Sequence, residues 1–527
     1  MKRRIFTLVL AVVMIVSVFV GCGKKSDSDV TDKYGKGVVS YPLQTNGEQL
    51  DYFIMLSANI SKMGKTMGDL EFRKGLQERT GISVNYITPT SAQWNDQFNL
   101  LFSSNDIPDM IYGDWRNHPS GGADGVIENG YIMDLTEYLP DYAPHYWKML
   151  NENPAALQAA KSPSGKFYSF ASFNHDVACY GAYMRSDWLE ELGLEVPETL
   201  DEWEVVLTAF RDKKGADAPL AFGWSKFYTM GVFETAFKTS SGLYLDDNGK
   251  IAYGPATSNW KSYMLKMREW VDKGILDKNV ATTEDDQLNA YIFTNETGAS
   301  IGWLASGIGA KLKAKPEGST FDLVGVPYPV MNKGDEPSRF GGTKSPIGDN
   351  MAIAANSQNK ELAMRFLDYG YSPEGDMYFN YGVEGVTYEM VNGVPKYTDL
   401  ILNNPDGLAI ADALTVYTHA SGGGAYAMHN DAYLAQITIP QQIGCTEAWK
   451  TNDSHMLPPL SLTVEEREEY AQIMAGIETY VGEVTLGFIC GTKSIAEVDA
   501  MPAKLKEMGL DRAVAIQQAA LDRYNSK

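Results

Sequence analysis

Cysteine is scarce in this chain: four thiols, at positions 22, 179, 445 and 490, are spread over 527 residues. Such spacings fit neither a disulfide framework nor a zinc knuckle. Cys179, Cys445 and Cys490 cannot all pair, and they read as small buried hydrophobes. Histidine is sparse too, with six residues (118, 145, 175, 419, 429 and 455) and no H-E-x-x-H, so a catalytic zinc is not expected. Basic charge is short, 45 Lys and Arg against 67 Asp and Glu. Nucleic acid and electrostatic adhesion to anionic lipid both need a basic surface, and both are disfavoured. No P-loop is present. The first strand-like stretch is followed by SANISKMGKT rather than a glycine-rich phosphate turn, so a dinucleotide reading fails. After residue 20 no apolar run reaches membrane length.

What is present begins with Lys2, Arg3 and Arg4, followed by an apolar run from Ile5 to Val20. A basic start, a short apolar core and a small residue at the cut make a secretory signal, residues 1–21. Gly21 before Cys22 resembles the lipobox of bacterial lipoproteins, with Phe19 at the position where leucine is usual. That resemblance implies acylation of the Cys22 thiol. Residues 22–40 are polar, with little to bury, and read as a flexible tether. Fully stretched it would reach ~55–60 Å at about 3.3 Å per residue. Without the signal the chain keeps 42 basic and 67 acidic residues, a net charge of −25.

The length is too great for one compact core and suggests two or more lobes. Hydrophobic content of 44% and charged content of 21% are those of a globular protein, so the whole body after the tether should fold. DYFIMLS (51–57), ISVNYI and PDMIYG (108–113) read as strands, with helices over 68–81 and SAQWNDQFNLLFSS between them. That β-α-β-α-β order predicts a parallel sheet whose ligands lie beyond the carboxyl ends of its strands. Further helices are predicted over 199–215 (capping box Thr199 and Glu202), 258–274 (capped by Ser258) and 359–372, with another capping box at Thr463 and Glu466.

ERTGISVNY, FSSNDIPDMIYGDW, GAYMRSDWLEELGLEVPETLDEW and NKELAMRFLDYGYSPEGDMYFNYGVEGVTYEMVNGVPKYTD together resemble the extracellular solute-binding lipoproteins of bacterial ABC importers, in the carbohydrate branch and of the large Gram-positive type. The resemblance runs from about Asp51 to Gly407. It implies an α/β fold of two periplasmic-binding-protein-like lobes, joined by a hinge of two or three crossings. The N-lobe would be 41–172 with 328–372, the C-lobe 185–315 with 373–527, and the crossings 173–184 and 316–327. The implied activity is capture of an oligosaccharide in the interlobe cleft and delivery to membrane permease subunits. The protein would act as a monomer on the extracellular face of the cell membrane, held by its lipid, without cofactor or metal.

Trp188, Trp203, Trp260 and Trp270 sit on apolar helical stripes or helix starts and belong to the core. Trp115, Trp224 and Trp303 lie beside glycine or polar residues, off any stripe, and flat rings of that kind suit the apolar faces of sugars. Trp94, at a helix start, is a weaker candidate of the same kind. Asn59 and Asp114 at strand ends could bind hydroxyl groups. So could Asn174, His175 and Asp176 in the expected crossing, Asp349 before a strand, and Tyr381, Glu384 and Tyr388 in the family's cleft loop. Against each stands the ordinary fate of a polar side chain, solvated or structural.

Catalytic motifs are weak. GASIG (298–302) fits G-x-S-x-G but lacks the apolar strand before and helix after that a nucleophile elbow requires. SNWK (258–261) fits S-x-x-K without companion motifs. A glycosidase needs only two carboxylates across a cleft, so a surface polysaccharide-degrading enzyme stays as an alternative. A receptor of the same fold for a peptide or other solute is a third reading.

Overall fold

The computed structural model describes residues 30–104, 106–420 and 423–526. The expected signal and Cys22 lie outside them. Strands in the first half are β1 (Gln49–Phe53), β2 (Ser83–Ile87), β3 (Met110–Tyr112), β4 (Phe170–Phe173), β5 (Tyr180–Arg185), β6 (Leu243–Leu245) and β7 (Ile251–Tyr253). They continue with β8 (Ala299–Trp303), β9 (Leu323–Val326), β10 (Ser338–Thr343), β11 (Ile347–Ile353), β12 (Tyr388–Val391), β13 (Val394–Tyr397) and β14 (Asn452–Leu457).

One sheet has the order β2-β1-β3-β11-β4. Its first three strands are parallel, as strand-helix alternation requires, while β11 inserts antiparallel between β3 and β4. A second sheet, β8-β5-β9, has β5 antiparallel to both neighbours. The helices follow their sequence signals. Glu71–Thr80 buries Phe72 and Leu76 and stops at Gly81, whose φ of 72° is left-handed. A Cβ there would meet the Leu43 carbonyl oxygen at 2.3 Å, so only glycine fits. Leu200–Lys214 carries the Thr199–Glu202 capping box. The helix Ser258–Asp272 is capped one residue earlier than expected, by Thr257, whose hydroxyl accepts from the Trp260 amide.

The two largest hydrophobic cores among the described residues divide the chain. The larger gathers residues from Ala182 to Tyr328 and from Cys445 to Ala513; the other gathers Leu50 to Phe173 and Ile347 to Tyr426. This corrects the expected division at 373. Tyr378, Phe379, Val416 and Tyr426 pack into the N-lobe core, so the chain stays in that lobe past Tyr426; the helix Asn430–Ala435 then turns Tyr433 against the C-lobe core, which Pro440–Ala448 joins through Cys445. Three passages therefore join the lobes: 174–179 between β4 and β5, 327–346 between β9 and β11, and 430–439. The second falls later than 316–327, because Leu323–Val326 is a strand of the C-lobe sheet. β10, inside it, pairs in parallel with β14. The C-terminal helix Val464–Ile489 packs on Ser258–Asp272, yet Arg467 near its start donates to the Arg116 carbonyl of the N-lobe.

The described part of the expected tether is also bound. Glu361 accepts from the Thr31 hydroxyl and from the Lys33 and Tyr34 amides at 3.0, 2.7 and 2.7 Å. Arg365, fully buried one turn later, donates to the carbonyls of Gly35, Gly37 and Tyr142. A flexible reading of 30–40 fails because its backbone polar groups find fixed partners on the helix Lys360–Tyr369. Arg365→Ala is expected to cost about 3 kcal/mol, since several buried acceptors lose their donor. Amide exchange at 33–37 should rise in parallel, and unchanged protection there would refute the anchoring role.

Candidate functional site

Two cavities lie where the fold brings ligand-binding chemistry together. The first, of about 230 Å³, is in the N-lobe at the carboxyl ends of β1 and β3, the edge at which open α/β sheets bind ligands. Ile54, Ser57 and Asn59 leave β1 there, and Tyr112 ends β3. Phe72 and Arg73 come from the next helix, and Thr415, Thr418 and His419 from the distant segment 410–419. His419 stacks on Phe72 with centroids 5.3 Å apart, and its Nε2 lies 2.9 Å from the Gly423 carbonyl oxygen. Burial, helped by the Arg73 charge, pushes its pKa down to about 3, so the ring is neutral and donates.

The second cavity, about 460 Å³, sits at the crossings and draws on all three. His175 and Asp176 come from the first, with Tyr180 at the start of β5 just after it, Arg339 and Lys344 from the second, and Asn430 from the third, with Trp449 and Asp453 beyond it. The Asp176 amide donates to Asn430 Oδ1 at 2.9 Å, and Lys344 Nζ lies 3.0 Å from Asp453. The His175 ring lies tilted against Tyr433, centroids 4.3 Å apart, and burial lowers its pKa. Tyr180 links this cavity to the C-lobe sheet edge. Its ring lies 5.1 Å from that of Trp303, its partner in the β5–β8 register, and the Arg339 guanidinium is 4.7 Å from its centroid. Trp303 is 48% exposed, an uncommon state for so large an apolar ring.

The candidates named in the sequence separate here. Asn59 lines the first cavity, while His175 and Asp176 line the second, and Trp303 stands beside it. Asn174 is exposed at the first crossing, donating to the Ser345 carbonyl at 3.2 Å. Trp224, half-buried, opens a short helix and stacks on Phe227 at 4.7 Å. The Asp349 side chain lies outside the described residues. The remaining candidates fall elsewhere. Trp115 is fully buried among Phe98, Phe102 and His118, because the chain turns inward after Gly113 and puts the ring under the sheet. Asp114 is exposed but is engaged by Asn117, at 3.1 Å from its amide and 2.9 Å from its side chain, which makes it a turn residue. Tyr381 and Tyr388 are buried against each other and Tyr397. Glu384 is exposed on the neighbouring turn and lines neither cavity. Trp94 is half-buried against Phe53 and Phe98.

Ser300 lies inside β8, 2% exposed, so GASIG is strand and no elbow. Of the three downstream cysteines, Cys445 is buried while Cys179 and Cys490 are partly exposed. No group of three or more metal-ligating side chains occurs among the described residues. The sequence reading missed Arg73, Tyr180, Arg339 and Lys344. Arg73 carried a signal, a charge on the buried stripe with Leu76 and Thr80. Arg339 and Lys344 carried none, since the fold alone brings them to residues 175–180.

Comparisons with known proteins agree with this architecture. The profile of the family described as bacterial extracellular solute-binding protein matches residues 69–377. The chain is 23% identical to the fructooligosaccharide ABC transporter substrate-binding protein FusA of Streptococcus pneumoniae, over 97% of this chain and 96% of that one. It is 25% identical to the lipoprotein LipO of Bacillus subtilis, over 63% of this chain and 66% of that one. The solved structure of S. pneumoniae FusA with kestose superposes with a TM-score of 0.71 at 21% identity, covering 91% of this chain and all of that one.

Proposed function

The chain belongs to the bacterial extracellular solute-binding proteins, a family of binding proteins rather than enzymes, and on that premise we propose that it is the lipid-anchored oligosaccharide receptor of an ABC importer. It is a substrate-binding protein of the sugar-transporter kind. The finer reading is that an oligosaccharide enters between the lobes, contacts both, and is handed to the permease. The observation that carries it is Trp303, half-exposed on the C-lobe sheet edge beside a polar cavity built from all three crossings. Aromatic faces cover the apolar sides of sugar rings, and the polar groups beside them suit the hydroxyl rim.

The crossings set the mechanism. Ligand that touches both lobes stabilises the closed form by its differential affinity for it. The permease would read that closure, and a separate subunit would hydrolyse ATP. Cys22 would carry the lipid, and the anchoring of residues 31–37 on Glu361 and Arg365 ties the N-lobe to the anchored end. In a titration of the form starting at Ser26 with a panel of oligosaccharides, saturable heat should accompany sugar recovered intact. New reducing ends at catalytic protein amounts would instead establish a degrading enzyme, and saturable binding of peptides alone would establish a receptor for another solute.

A further inference from the structure

Three arginines are at least nine-tenths buried among the described residues; one is paired with a carboxylate and a second is held by several carbonyl oxygens. Arg185 forks onto Asp187 at 2.7 and 2.5 Å. Arg365 is ringed by carbonyls. Arg73, 7% exposed, is different. It is in no ion pair, and its guanidinium lies 5.2 Å from the Phe72 ring centroid and 5.3 Å from that of Tyr86. Its Nε, like that of Arg365, is buried without a hydrogen-bond partner, and its guanidinium meets the Tyr86 hydroxyl rather than a set of carbonyls or a carboxylate. It lines the N-lobe cavity at the strand ends, where the other basic side chain, His419, is neutral.

A buried cation without a counter-charge is costly, and a planar guanidinium is best satisfied by a carboxylate taken bidentately. The rest of the cavity suits a sugar: Ser57, Asn59 and Thr418 are polar, while Met67, Leu70 and Phe72 are apolar. We propose that the ligand is an acidic oligosaccharide and that Arg73 receives the carboxylate of a uronic-acid unit in this cavity. The inference rests on the receptor reading and narrows its substrate class. The net charge of −25 works against anions only at long range, because screening limits it to about 8 Å at physiological salt.

The test titrates the form starting at Ser26 with uronic-acid oligomers, with the same oligomers after reduction of their carboxyls to alcohols, and with inorganic phosphate and sulfate. The acidic oligomers should bind at least tenfold more tightly than their reduced counterparts. Arg73→Gln should erase that difference and Arg73→Lys should keep part of it, with melting curves showing that both variants fold. If either variant does not fold, the wild-type comparison still decides. Reduced oligomers that bind as tightly as acidic ones overturn the inference and leave the receptor reading standing. Phosphate or sulfate binding as tightly as the oligomers makes the cavity a simple anion site and also overturns it. A folded protein that binds no saccharide of either kind overturns the receptor reading and the inference together.

Discussion

Trp115→Ala is expected to lower stability by about 3–5 kcal/mol while changing oligosaccharide affinity less than twofold. The indole is fully buried, with ring centroids 5.8 Å from Phe98, 6.1 Å from Phe102 and 5.7 Å from His118. Removing it deletes a large apolar surface and leaves a cavity that rigid aromatic neighbours cannot fill. The His118 pKa is pushed down to about 4 by burial and by the Arg467 charge, so the stacked imidazole is neutral at pH 7 and the cluster stays apolar. Urea or thermal melts with and without ligand check the prediction. An unchanged melting temperature with lost affinity would return Trp115 to the binding face.

Trp303→Ala should do the reverse. Affinity is expected to fall roughly 10- to 100-fold, about 1.4–2.7 kcal/mol, with little change in melting temperature. Half of the ring already faces solvent, and its contact with Tyr180 at 5.1 Å is the main packing lost. Trp303→Phe should keep much of the affinity, because a smaller flat face remains. A Trp303→Ala variant that melts early and binds normally would make this ring another packing residue. Trp115 follows a strand and Trp303 ends one, each near a glycine, and the sequence offers no difference between them; the two variants should pull them apart.

Much of the fold could be read from local chemistry. The stop at Gly81 and the capping boxes at Thr199 and Thr463 depend on backbone groups within four residues, so short windows contain the cause. The parallel pairing of β1 with β2 and β3 follows from their alternation with helices. Where the chain leaves one lobe for the other was less legible. Residues 373–429 carry helical and hairpin patterns that name no lobe, and the packing of Tyr378, Phe379 and Tyr426 against Phe72 and its neighbours assigns them. The tether was misread from residue 30 for a related reason. Its composition is polar, but Glu361 and Arg365 supply partners more than 300 residues away.

By itself the sequence determined the acidic balance, the capping boxes and the alternating α/β class, because each rests on composition or on periodicity along neighbouring residues, while the two lobes were implied by the family resemblance. Which side chains face the cavities was decided by tertiary structure alone. Whether an indole points under a sheet, as at Trp115, or out beside a crossing, as at Trp303, depends on strands that meet from distant parts of the chain. The same holds for Arg73, whose lack of an ion pair among the described residues becomes visible only once the strands and helices around it are in place.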